Sequence, residues 1–91
     1  MSERTIWKFR LDPSTAYLGA IPVGAKLLTV QEQDGDAVLW ALVDPKAQVI
    51  RRGIGVYGTG HLMPEDPGVY VGTFQLRAHG LVFHVFDEGE R

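Results

Sequence analysis

Residues 25–43, AKLLTVQEQDGDAVLWALV, decide the fold. Asp34-Gly35 sits between two β-prone runs, and glycine supplies the positive φ that a tight hairpin turn needs. The second run, AVLWALV at 37–43, is apolar at every position, so both of its faces need cover. It is expected to be a central strand. In the first run Leu28 and Val30 are expected to face one way and Thr29, Gln31 and Gln33 the other, which gives that arm a wet side.

The same alternation continues on either side of the hairpin. RTIWKFRL at 4–11 sends Trp7, Phe9 and Leu11 to one face and Lys8 and Arg10 to the other. AYLGAIPVGA at 16–25 carries Gly19, Pro22 and Gly24 and reads as a connector with at most a short edge strand, because proline cannot donate to a ladder. After the turn Asp44-Pro45-Lys46-Ala47, QVIRRGIGVYG resumes an extended pattern. Pro64 and Pro67 break HLMPEDPG, and VYVGTFQL and LVFHVFDE then form a second hairpin around Arg77-Ala78-His79-Gly80. The final Gly89-Glu90-Arg91 is expected to fray. No segment has a sustained 3.6-residue apolar period, although one helical turn fits at 13–17 or 45–47. The sequence therefore predicts an all-β chain: a small barrel or sandwich of six to seven mostly antiparallel strands, with residues 1–91 forming one domain.

Composition excludes several functions. A net charge of −2 offers no basic footprint for nucleic acid. Without any cysteine there are no disulfides, thiolate nucleophiles or cysteine zinc sites. The first residues, MSERTIWKF, lack the pattern of a secretory leader, and no apolar run approaches a membrane span. A cytoplasmic protein is expected. With 45% hydrophobic residues in 91, nearly all the apolar side chains are needed for stability, and a domain this small gains by self-association.

GIGVYGTGH at 53–61 contains Gly53-x-Gly55-x-x-Gly58, the spacing of a dinucleotide fingerprint. That fingerprint requires a helix after the loop, and Pro64-Glu65-Asp66-Pro67 cannot start one. The glycines read instead as relief of crowding where a strand bulges or bends. A glycine-rich loop can also turn backbone N–H groups toward an anion, with Thr59 and His61 adding contacts. Arg51 and Arg52 lie too early to be placed at the loop, since an extended strand carries them away from it. Gly53 and Gly55 can also shift the register and exchange the faces, which leaves open whether the pair meets solvent or a ligand.

His61, His79 and His84 lack metal-ligand spacing, so neither a metal nor a cofactor is expected. His84, between Phe83 and Val85, reads as a satisfied sheet histidine. The only serines, Ser2 and Ser14, are not placed as triad members, and Glu65-Asp66 reads as a solvated turn pair, so no catalytic residue is assigned. Trp7, Phe9, Trp40, Phe74, Phe83 and Phe86 read as core. Tyr57 and Tyr70 flank glycine-rich loops and are interface candidates. The candidate binding set is thus Tyr57, Gly58, Thr59, Gly60, His61 and Tyr70.

Taken in order, TIWKF, IPVGAKLLTVQ, LWALVDP, YGTGH, YVGTFQL and LVFHVF resemble a family of small proteins of unknown function found mainly in bacteriophage and prophage genomes. The resemblance covers nearly the whole chain and carries no catalytic residue or cofactor. It implies an accessory protein that binds a host or phage component in the host cytoplasm, or a virion structural or assembly component. The residues themselves favour a non-enzymatic, homo-oligomeric interaction module. The alternative is a protein that binds or sequesters a small anion such as a nucleotide at the glycine-rich loop.

Overall fold

A computed structural model describes residues 3–12 and 17–90. The strands are β1 (Thr5–Leu11), β2 (Tyr17–Pro22), β3 (Lys26–Gln33), β4 (Asp36–Val43), β5 (Val49–Gly58), β6 (Val69–Leu76) and β7 (Leu81–Glu90). They form a three-stranded sheet, β1-β4-β3, and a four-stranded sheet, β2-β5-β7-β6, in which every pairing is antiparallel. The two sheets pack face to face as a small sandwich and do not close into a barrel. The Cα extents of 43 × 32 × 17 Å are those of a flat, two-layer molecule.

The Asp34-Gly35 hairpin forms as expected, with both turn residues at positive φ (52° and 87°) and Gln33 paired to Asp36. β4 is the central strand of its sheet. Its inner residues Leu39, Ala41 and Val43 join Leu18, Ile21, Val30, Ile54, Phe74 and Val85 in the core. Among the described residues no third layer covers its outer face; long polar side chains do so instead. Lys8 donates to Gln33 across β4 at 2.8 Å, Arg10 pairs with Asp36 at 2.7 Å, and beneath them Val38 is only 4% exposed.

The expected facing of β3 fails at one residue. A register shift between Leu27 and Thr29 makes Leu28 the extra residue of a β-bulge. Leu27 therefore packs against the core and Leu28 is left exposed, while Val30 resumes the inward position. One inserted residue exchanges the faces on its N-terminal side. In β1, Leu11 is buried and Phe9 packs on the core, but Trp7 is more than a third exposed.

β2 is a short edge strand ending at Pro22, with a register shift between Leu18 and Ile21. The helical turn expected over 13–17 lies, apart from Tyr17, outside the described residues, as do both serines. Residues 45–47 form a plain turn. The one helical turn among the described residues is a 3₁₀ turn, Arg77–His79, inside the β6–β7 connection; it ends on Gly80 in the left-handed region. Gly89 and Glu90 do not fray but complete β7.

The sheets meet along β3 and β6. A Cβ on Gly72 would lie 3.1 Å from Val30 Cγ2, so the bare α-carbon lets β6 approach β3. The Arg77 N–H donates to the Glu32 carboxylate at 2.9 Å and fastens the same seam. At the other end of β5, Arg52 turns inward and is 8% exposed. Its guanidinium donates twice to Asp87, at 2.9 and 2.6 Å, and Glu90 lies 3.6 Å away. Glu90 also accepts the Gly24 N–H, which ties the end of β7 to the β2–β3 turn.

Candidate functional site

The outer face of the four-stranded sheet carries two rows set by register. Tyr57, His84 and Thr73 are partners across β5, β7 and β6, and Gly55, Phe86 and Tyr70 form the next row. Tyr57 does not stand upright in its row. Its ring falls back over Gly55, where a Cβ would meet Tyr57 Cε2 at 2.7 Å. There it meets Phe86 edge to face, with ring centroids 5.9 Å apart, while Tyr70 packs on Phe86 from the other side at 5.5 Å.

The first row is polar. His84 Nε2 lies 2.8 Å from Thr59 Oγ1, His84 Nδ1 lies 3.0 Å from Thr73 Oγ1, and Thr73 Oγ1 lies 2.7 Å from the Tyr70 hydroxyl. Either neutral tautomer satisfies this chain. With the proton on Nε2, His84 donates to Thr59 and accepts from Thr73, which accepts from Tyr70. With the proton on Nδ1, every donation reverses. His84 is the satisfied sheet histidine that its strand position suggested.

Two glycines of the Gly53-x-Gly55-x-x-Gly58 spacing, Gly55 and Gly58, have a steric reason, and Gly53 lies at a register irregularity. The β5–β7 register shifts between Gly53 and Ile54, Gly55 receives the Tyr57 ring, and Gly58 receives the ring of His61. A Cβ on Gly58 would stand 2.9 Å from His61 Cε1. No helix follows, so the dinucleotide reading ends here.

Of the candidate binding residues, the fold brings Tyr57, Thr59 and Tyr70 to one face. Gly60 supplies a positive-φ turn (87°). Gly58 and His61 turn the other way, to one wall of an open cavity of about 410 Å³ that Thr59 also borders. Gly80, Leu81, Val82 and Phe83 line the rest of it. The Thr59 N–H donates to Val82 O and the His61 N–H to Gly58 O, so these two amides are engaged within the chain. An anion nest or an oxyanion site at this loop would have to do without them.

Arg52 is committed to Asp87, and the pairing raises its pKa while holding the Asp87 carboxyl below its ordinary range. Arg51 is exposed. Among the described residues no group of acidic or histidine side chains is placed to hold a metal ion, and no helix is long and apolar enough to cross a membrane.

Sequence reasoning missed Thr73, His84 and Phe86 as members of this face. A signal was present for one of them: Phe83 and Phe86 are three residues apart in a strand, so they cannot share a face. Phe83 packs on the core and Phe86 points away.

These features define a small antiparallel β-sandwich with an aromatic and hydroxyl-rich outer face beside a glycine-rich loop. The chain belongs to the family described as a domain of unknown function (DUF7352), whose model matches residues 2–91. No curated protein and no solved structure matches it.

Proposed function

We propose that this protein is a non-enzymatic interaction module that works as a homo-oligomer. The supporting observation is its surface. The accessible area is 5955 Å², whereas a typical monomer of 10.1 kDa exposes about 5,300 Å². A flat molecule of this kind has faces broad enough for the roughly 800 Å² that each partner buries in a standard interface. Several large apolar side chains are open to solvent: Ile6, Val49, Leu62, Val69, Tyr70 and Leu81 are each about half exposed or more. A domain this small has little other means of covering such side chains.

In the phage or prophage setting that the sequence motifs suggest, such a module acts as an accessory protein in the host cytoplasm. Size-exclusion chromatography with light scattering tests the reading. The expected mass is an integral multiple, two or greater, of 10.1 kDa. A strictly monomeric mass at millimolar concentration overturns it.

A further inference from the structure

Among the described residues, the apolar side chain most open to solvent stands next to a largely apolar concavity. Leu62 is 99% exposed, and its neighbour His61 forms part of the wall of the cavity that Leu81, Val82 and Phe83 line. Leu62 therefore does not fill that cavity in its own chain. The loop that carries it is held at both ends. The His61 N–H closes a turn on Gly58 O, Asp66 Oδ1 accepts the Gly68 N–H at 3.3 Å, and Pro64 and Pro67 restrict the backbone between them. Such a loop loses little entropy when its tip docks.

Resting on the self-association proposed above, we infer that Leu62 of one copy seats in the cavity bordered by His61, Leu81 and Phe83 of a second copy. Because knob and cavity are neighbours on one chain, a two-fold axis lets both copies insert at once and closes the assembly as a dimer. The cavity carries no Asp, Glu, Lys or Arg on its walls, which suits an aliphatic side chain and not a charged ligand. Leu81, 47% exposed at its rim, and Met63, 41% exposed beside the knob, are covered in the same contact.

The test uses Leu62→Ala, Leu62→Asp and Leu81→Glu in light scattering, with circular dichroism to confirm that each variant is folded. Leu62→Ala is expected to weaken association roughly a hundred- to ten-thousandfold, as loss of two buried leucine side chains per dimer implies. Leu62→Asp and Leu81→Glu are expected to be monomeric at loadings where the wild type is a dimer. The chain has no cysteine, so mixing Leu62→Cys with Leu81→Cys under mild oxidation reports the contact directly, with a disulfide-linked dimer expected. A wild-type oligomer that all these changes leave intact and uncrosslinked overturns this interface while self-association stands. A monomeric wild type overturns both.

Discussion

The ring of Tyr57 lies along its own strand against the bare α-carbon of Gly55, where a Cβ would come within 2.7 Å of Cε2 and 2.9 Å of the hydroxyl oxygen. This contact turns a spacing that resembles a nucleotide fingerprint into a packing requirement. Gly55→Ala must lift the ring, and the ring is the flexible end of a side chain, so the fold survives. The Tyr57–Phe86 contact does not, and its loss is expected to cost about 1 kcal/mol. The near-ultraviolet dichroism of the aromatic cluster should weaken, and denaturant melts should give the stability change.

Gly68 presents the opposite case. Its φ is +98°, and a Cβ there would run into the backbone carbonyl of Asp87, which cannot swing aside as a ring can. Gly68→Ala is expected to cost about 3 kcal/mol or more, through backbone strain and the separation of β6 from β7. A melting temperature within a degree or two of Gly55→Ala would contradict this difference.

The Arg52–Asp87 pair makes stability depend on pH in one direction. The double hydrogen bond from Arg52 lowers the folded-state pKa of Asp87 from its ordinary 3.8. A carboxyl with a depressed folded pKa contributes stability that is fully present above the ordinary value and is lost as pH falls through the folded value. The stability gap between wild type and Asp87→Asn should therefore be constant from neutral pH down to about pH 5 and close in more acid solution. Arg52→Met, which leaves the largely buried carboxylate without its partner, should be the more damaging change, by about 3 kcal/mol at neutral pH. Urea titrations across pH 2 to 7 measure both effects.

His84 holds the end of β5 to β6 through Thr59 and Thr73. His84→Ala removes two hydrogen bonds at a partly exposed site and is expected to cost about 1–2 kcal/mol. The loosening should be local: faster amide exchange at Thr59 to His61, with the β4 core amides unchanged. Ring ¹⁵N shifts of the wild type identify the tautomer, and the Tyr70 hydroxyl then donates to Thr73 or accepts from it accordingly.

Much of this architecture is legible in the residues. The hairpin follows from Asp34-Gly35, and the central strand from the unbroken apolar run at 37–43, because local turn chemistry and two-sided burial both leave marks in sequence. Tyr57, Thr59 and Tyr70 are legible as surface candidates because they flank glycine-rich segments. Their neighbours His84 and Thr73 are not, since they join the face only through the β5–β7–β6 register, which depends on where bulges fall. The orientation of Arg52 is hidden for the same reason: it depends on the irregularity at Gly53, and an inward arginine needs Asp87, 35 positions away in sequence.

The bulge at Leu28 offers the sharpest test of the register, because it reverses an assignment made from alternation alone. Simple period-two facing pairs Leu28 with Val30 and sends both inward, whereas the fold puts Leu27 against the core and leaves Leu28 38% exposed. Lysine substitution separates the two arrangements. Leu28→Lys places a solvated charge on an already open residue and is expected to change stability by no more than about 0.5 kcal/mol. Leu27→Lys removes apolar contact with the core and forces an ammonium toward it, at an expected cost of about 2–3 kcal/mol. Val30→Lys should be worse still, since Val30 is 2% exposed and lies against Gly72 where the two sheets touch. The predicted order of midpoints in urea is thus Leu28→Lys near wild type, then Leu27→Lys, then Val30→Lys. If Leu28→Lys were as damaging as Val30→Lys, with Leu27→Lys neutral, the strand would be regular and the bulge would be absent.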